Sequence, residues 1–172
     1  MPGKESGRED VTSSAGLLIS ILARYPEVVT VNYDPAGRVL NFTFLSSRVL
    51  SPEESGELKK KLLESIAVFN FLARRKIRVG AVFCREYDRL TIVEAQRDVD
   101  TLVSEEIALI VSLVRDFLGE CLLTERSNDC PEDDLVLQEE IIAHLLEDVR
   151  GANEKSYLVA FRKEDRVLVF NK

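Results

Sequence analysis

The sequence predicts an α+β protein in which three β-hairpins form one antiparallel sheet and the helices pack mainly on one of its faces. Two observations carry this prediction. An apolar strand, a polar turn and a second apolar strand follow one another three times, at residues 30–42, 81–93 and 158–170. Amphipathic helical segments separate these three copies. The predicted order of elements is therefore α-ββ-α-ββ-α-α-ββ.

The three hairpin segments align with one another without a gap. In each copy an arginine, Arg38, Arg89 or Arg166, follows a turn that closes on Gly or Asp. Alternating strands joined by polar turns generate such a likeness on their own, and duplication of one ancestral unit also generates it. The sequence leaves these two origins open.

A short helix precedes the first hairpin. Thr12 or Ser13 can cap this helix, because a hydroxyl oxygen accepts hydrogen bonds from the free N–H groups of a first turn, and Pro26 ends it. Its apolar side chains recur at helical spacing and predict one buried face, formed by Leu17, Leu18, Ile21, Leu22 and Tyr25.

The second helix has the clearest start in the chain. Ser51 is its predicted N-cap, Pro52 occupies the first helical position, and Glu54 completes a capping box. The helix is predicted to run to about Arg75, with a core stripe of Leu58, Leu62, Ile66 and Phe69. In the hairpin that follows, both faces are apolar around residues 90–93, which predicts a central position in the sheet.

The third helix begins near Asp100 or Ser104 and is apolar around more than half of its circumference. One of its stripes has a four-and-three spacing and consists of Val103, Ile107, Ile110, Val114 and Phe117. This stripe either lies under the last helix of the same chain or contributes to a subunit interface. The fourth helix is predicted from Pro131 to about Val149, with a core stripe of Leu135, Ile141, Ile142, Leu145 and Val149.

The composition is that of an acidic globular chain. A chain of 172 residues is most simply one domain, which we place at residues 12–172 after a disordered tail at residues 1–11. The net charge of -7 argues against sequence-independent binding of nucleic acid or of anionic membranes. Three cysteines without a CxxC pair are typical of free thiols in a reducing cytosol.

The repeated arginines are the first candidate binding residues. If the three hairpin turns lay at one edge of the sheet, the guanidinium groups of Arg38, Arg89 and Arg166 would form an anion site. The alternative is that each arginine is solvated and lies over its own hairpin. The topology of the sheet distinguishes these two arrangements.

The only histidine offers a candidate metal site. Glu140 precedes His144 by four residues and Glu147 follows it by three, so the three side chains lie on neighbouring turns of one helical face. However, His144 lies away from the apolar stripe of its helix, where a solvated polar face is the simpler interpretation. We expect no cofactor.

Three hypotheses about function follow. The favoured one is a non-catalytic interaction or regulatory module of the cytosol that acts through protein–protein contacts, with a homodimer through the third helix as one form. The second is a domain or enzyme that binds a small molecule or anion in a pocket between sheet and helices. The third is association with RNA through the basic residues of the second helix and the strand after it: Lys59, Lys60, Lys61, Arg74, Arg75, Lys76 and Arg78.

Binding is favoured over catalysis on chemical grounds. The glycines form no phosphate-binding loop, and the single histidine has no obvious nucleophile to activate.

Overall fold

The computed structural model of the protein describes residues 12–124 and 132–171. The predicted disordered tail, residues 1–11, lies outside the described residues. Within the described part of the chain the fold is α+β, with four helices and one open antiparallel sheet of seven strands. The predicted fold class is confirmed.

The described elements follow the predicted order. The helices are α1 (Ser13–Arg24), α2 (Pro52–Leu72), α3 (Ser104–Leu118) and α4 (Glu132–Gly151). The strands are β1 (Thr30–Asp34), β2 (Val39–Ser46), β3 (Gly80–Tyr87), β4 (Leu90–Asp98), β5 (Leu122–Leu123), β6 (Leu158–Lys163) and β7 (Arg166–Asn171). The short strand β5 and the single 3-10 turn before it, Gly119–Cys121, are additions to the predicted order.

The sheet has the strand order β3-β4-β2-β1-β6-β7, and β5 pairs with the last two residues of β2. The prediction that the second hairpin is central in the sheet is therefore wrong, because β3 forms one edge of the sheet. The apolar residues that suggested a central position have a different explanation. Val93 faces the helices and is fully buried, whereas Ile92 lies on the opposite, half-buried face.

Both predicted helix starts are confirmed. The side chain of Thr12 accepts a hydrogen bond from the amide of Ala15 at the start of α1. At the start of α2, the Ser51 hydroxyl accepts from the Glu54 amide, and the Glu54 carboxylate accepts from the Ser51 amide. This reciprocal pair satisfies two N–H groups that have no partner within the helix.

The second and third hairpins close with two-residue turns. Asp88 and Arg89 both have positive φ, as do Glu164 and Asp165, which is the backbone of a type I′ turn. The structurally equivalent residues of these two hairpins are therefore offset by one position from the gapless alignment, and Arg166 is the first residue of β7 rather than a turn residue. Side chains alternate between the two faces of a sheet. A residue of the third hairpin therefore lies on the opposite face from the residue of the second hairpin with which the gapless alignment pairs it. The offset favours ordinary hairpin geometry as the origin of the repeated pattern.

The hydrophobic core lies between the helices and one face of the sheet. Tyr33, Phe42 and Phe44 are at most 1% exposed and fill this space. Two details of the predicted stripes are wrong. Asn70 takes the fourth buried position of α2 in place of Phe69, and Ile141 of α4 is 42% exposed. The core positions of α4 are Ile142, Leu146 and Val149.

Candidate functional site

The C-terminal end of α2 exposes large apolar side chains. Val68 is 56% exposed, Phe71 80% and Leu72 75%, and Phe71 is the most exposed of the large apolar side chains in the described chain. After Ala73 come the cations Arg74, Arg75 and Lys76. We call these six residues the α2 terminal surface. Contiguous exposed apolar side chains with a polar rim are typical of interaction sites.

Two grooves flank the exposed side chains. One lies between α2 and α3, has a volume of about 470 Å³, and is lined by Glu64, Ser65, Val68, Phe69, Leu72 and Leu109. The other has a volume of about 560 Å³ and is lined by Phe71, Leu72, Arg74, Arg75 and Lys76. Leu72 lines both grooves, so it lies between them at the end of the helix.

The backbone at the end of α2 places the cations beside this region. The Arg74 amide donates to the Phe71 carbonyl (3.1 Å) and the Arg75 amide donates to the Asn70 carbonyl (2.8 Å). This pair of bonds is a Schellman motif, in which the residue at the position of Arg74 adopts a left-handed conformation and is usually glycine. Arg74 has φ 58°, so an arginine occupies a backbone position that favours glycine.

The Arg75 guanidinium is held in place by two contacts. Its Cζ atom lies 5.3 Å from the centre of the Phe69 ring, and its Nε donates to Oδ1 of Asn70 at 3.2 Å. The first contact is a cation–π interaction with an aromatic residue of the α2–α3 groove. Arg75 is therefore oriented at the groove rather than extended freely into solvent.

A buried ionic network holds the C-terminal end of α2 against α3 and β4. Asn70 donates from Nδ2 to Oε1 of Glu106 on α3 (2.8 Å) and to the Ile66 carbonyl (2.9 Å). Glu106 also accepts two bonds from Arg97 of β4, at 2.5 and 2.9 Å, and both charged side chains are 0% exposed. This bidentate pair connects α2, α3 and β4 at one point, so it positions the α2 terminal surface.

Asp98 completes the network. Its carboxylate accepts hydrogen bonds from Nη1 of Arg97 (2.5 Å), from the Val79 amide (2.9 Å) and from the Thr101 hydroxyl (2.8 Å). Burial raises the pKa of Asp98, but these hydrogen bonds and the charge of Arg97 lower it more, so the pKa lies below its ordinary value. Ionised Asp98 therefore stabilises the fold at neutral pH, and this contribution is lost as the pH falls through the lowered pKa.

The sheet topology separates the three arginines of the candidate anion site. Arg38 lies at one end of the sheet, whereas the turns that carry Arg89 and Arg166 lie at the other end. Those two turns are themselves at opposite edges, since β2 and β1 lie between β4 and β6, which sets them about 14 Å or more apart. The structure does not bring these side chains into one cluster.

Arg38 has an internal role instead. Its guanidinium binds the Asp100 carboxylate, with Nη2 to Oδ1 at 2.9 Å, and donates to the Arg150 carbonyl at 2.9 Å. Arg150 in turn donates to the carbonyls of Val99 and Leu102. These bonds join the first hairpin to the end of α4 and to the loop before α3.

We expect replacement of Arg38 to affect stability and replacement of the other two arginines to leave it nearly unchanged. Arg38→Ala should lower the free energy of unfolding by about 2 kcal/mol, because it removes charge-assisted hydrogen bonds. Arg89→Ala and Arg166→Ala should each change it by no more than about 0.5 kcal/mol, since both side chains are exposed. Urea unfolding at pH 7 measures these values. Stabilisation of the wild type by phosphate that each of the three variants abolishes would contradict this assignment.

The candidate metal ligands lie on the surface. Glu140, His144 and Glu147 are all exposed on α4. Among the residues that the structure describes, no group of three His, Cys, Asp or Glu side chains has an arrangement suited to a metal ion. The three residues therefore form part of a solvated helix face in this structure.

The predicted interface stripe of α3 is covered by the chain itself. Ile107, Ile110 and Val114 are at most 1% exposed in the single chain, and Val103 and Phe117 are partly buried. A partner could not contact the first three side chains without opening the core. Exposed apolar area suitable for an interface lies instead on the adjacent helix, α2.

The basic residues of the second helix do not form a single surface. Lys59, Lys60 and Lys61 lie about 20 Å along α2 from the cations at residues 74–76. Arg78 is paired with Asp100, with Nη1 to Oδ2 at 3.0 Å. A continuous track for a nucleic-acid backbone is therefore not formed by these residues.

Sequence reasoning missed Phe71 and Leu72 as site residues, although a signal was present. Both lie outside the core stripe of α2 and come shortly before the three cations at residues 74–76. Apolar residues on the polar side of an amphipathic helix indicate a second contact. Arg97 and Glu106 gave no such signal, because a charged residue in a strand or a first helical turn usually faces solvent.

Comparison of the chain with protein-family models, with curated proteins and with solved structures finds no match. Across residues 12–124 and 132–171, no helix is both long enough and apolar enough to span a membrane.

Proposed function

We propose that this protein is a non-catalytic interaction module that binds a protein partner through the α2 terminal surface. The observation that carries the proposal is the exposure of Val68, Phe71 and Leu72 on one helix, between two grooves and beside three cations. The buried ionic network under Asn70 supports it, because a rigid surface loses less conformational entropy when a partner binds.

The composition of the surface favours protein over RNA as the partner. Val68 and Leu72 are aliphatic and cannot stack on bases, and Phe71 is the only aromatic side chain among the six residues. Burial of two aliphatic side chains and one aromatic ring suits a protein interface, where such residues form the energetic centre.

Symmetric pairing of this surface with a second copy is disfavoured. A two-fold axis close to the end of α2 would bring Arg74, Arg75 and Lys76 of both chains together, and like charges in close contact oppose association. The proposal therefore favours a partner of a different kind over a homodimer. It also includes a cytosolic setting, which the free thiols of Cys84 and Cys121 support.

Affinity capture from an extract of the producing cells tests the proposal. The wild-type chain should retain at least one specific protein, and the double variant Phe71→Ser/Leu72→Ser should lose it. The matched control is Val136→Ser/Leu137→Ser, which removes two side chains of similar exposure, 56% and 54%, from α4.

If Phe71→Ser/Leu72→Ser loses the captured protein and Val136→Ser/Leu137→Ser retains it, binding is localised to the α2 terminal surface. Retention of the same protein by Phe71→Ser/Leu72→Ser would contradict the proposal. Urea unfolding should show that neither pair of substitutions lowers stability, because the replaced side chains are exposed.

A further inference from the structure

We infer that the partner presents an acidic amphipathic helix, whose apolar stripe enters the α2–α3 groove and whose carboxylates bind the cations at the end of α2. This inference rests on the proposed function and adds the chemistry of the partner. Three features of the described residues carry it: the charge at the rim, the shape of the groove and the identity of residue 74.

Positive charge is concentrated at one end of the α2–α3 groove. Arg74 and Lys76 are exposed, and Arg75 is oriented over the Phe69 ring. These three cations lie at one end of the α2–α3 groove, on a protein of net charge -7, whereas Glu64 lines the other end of the groove. A partner with carboxylates gains attraction at the end with the cations, and a basic partner meets repulsion, which gives selectivity.

The groove has the shape and length for a helix. Its lining runs along α2 from Glu64 to Leu72, a rise of about 12 Å or two helical turns, and Leu109 of α3 forms the opposite wall. Grooves between two helices accept amphipathic helices through apolar residues spaced three and four apart. The groove ends at the cations, so acidic residues of such a helix at that end would lie within reach of Arg74 and Arg75.

Arginine at position 74 favours binding of an anionic partner at the expense of the stability of the helix end. Glycine at this left-handed position would be more favourable for the Schellman motif, by about 1 kcal/mol. Arginine therefore destabilises the end of the helix while adding a charge at the rim. A residue that lowers stability at a surface with exposed apolar side chains is consistent with a binding role.

A pair of synthetic peptides tests the inference on the full chain. Both peptides are about 15 residues long and carry the same leucine stripe at helical spacing. The first has glutamate at its remaining positions, and the second has lysine there. Fluorescence anisotropy measures the affinity of each peptide at low and at physiological salt.

The wild type should bind the glutamate peptide at least about tenfold more tightly than the lysine peptide, and the ratio should fall as salt screens the charges. Arg74→Gly should weaken binding of the glutamate peptide by about threefold or more while raising the melting temperature. A merely structural role of Arg74 would change stability alone. Lys61→Gly, at an exposed position nearer the start of α2, should leave the affinity unchanged.

Each other outcome overturns the inference in a distinct way. If both peptides bind equally and Phe71→Ser/Leu72→Ser abolishes this binding, the acidic character of the partner is rejected, while the α2 terminal surface remains the binding site. Binding of neither peptide would reject the helix, while the capture experiment still decides the proposed function. Tighter binding of a single-stranded RNA oligonucleotide than of the glutamate peptide, with a steep salt dependence, would replace the protein partner with RNA.

Discussion

Glu106→Ala is expected to lower the free energy of unfolding by about 3 kcal/mol, because it breaks a buried ion pair and leaves Asp98 as the remaining carboxylate partner of Arg97. Glu106 accepts two hydrogen bonds from Arg97 and one from Asn70, and the Arg97 side chain is 0% exposed. After the substitution the guanidinium keeps Asp98 but cannot reach water for its remaining N–H groups. Urea unfolding followed by circular dichroism measures the change.

Two variants separate burial of charge from loss of packing. Glu105→Ala on the same turn removes an exposed carboxylate and should cost no more than about 1 kcal/mol. The triple substitution Arg97→Met/Asp98→Asn/Glu106→Leu removes all three buried charges, so it should be less destabilising than Glu106→Ala alone. A single-variant loss below about 1 kcal/mol would show that the pair is not buried as described.

Arg162→Ala is expected to be the next most damaging substitution, with a loss of about 2–4 kcal/mol. Its guanidinium donates to the carbonyls of Leu22, Tyr25 and Val28, at the end of α1 and just beyond it. The Leu22 carbonyl lies in the last turn of α1, where carbonyl groups have no partner within the helix, so this side chain satisfies it together with two carbonyls beyond the end of the helix. It also connects β6 to the first helix, across most of the length of the sequence.

The control for Arg162 lies on the same hairpin. Arg166→Ala removes an exposed arginine from the first residue of β7 and should be nearly neutral. Arg162→Lys should be intermediate, because an ammonium group keeps the charge but cannot match the geometry of the guanidinium. Equal effects of Arg162→Ala and Arg166→Ala would contradict the assigned role.

Local sequence rules were sufficient for the elements and their order. The capping box at Ser51 and Glu54, the Thr12 cap and the alternation along β1, β2 and β4 depend on neighbours within a few residues, and all of them are present in the structure. The offset of the third hairpin was not predictable in the same way. A gapless alignment does not show which two residues adopt positive φ, and that choice decides which strand positions face the core.

Strand order and charge burial depend on contacts between distant residues. The hairpins could have been arranged in several orders, and the observed order and pairing place Arg38 and Arg89 at opposite ends of the sheet. Arg97 and Glu106 are nine residues apart in sequence, but their burial results from the packing of α2 and α3 over β4. The α2 terminal surface could be predicted in part, because Phe71 and Leu72 lie outside the core stripe, but the groove between α2 and α3 depends on Leu109 of α3.

The most direct test of the central claim is an NMR titration of the isotopically labelled full chain with the glutamate peptide. The account predicts chemical-shift changes that are confined to residues 63–76 of α2 and its C-terminal end, together with Leu109 and its neighbours on α3. Arg74→Gly should reduce these changes at equal peptide concentration. Shift changes that fall mainly on α4 or on the half-buried face of the sheet, with residues 63–76 unaffected, would contradict the assignment of the α2 terminal surface as the binding site.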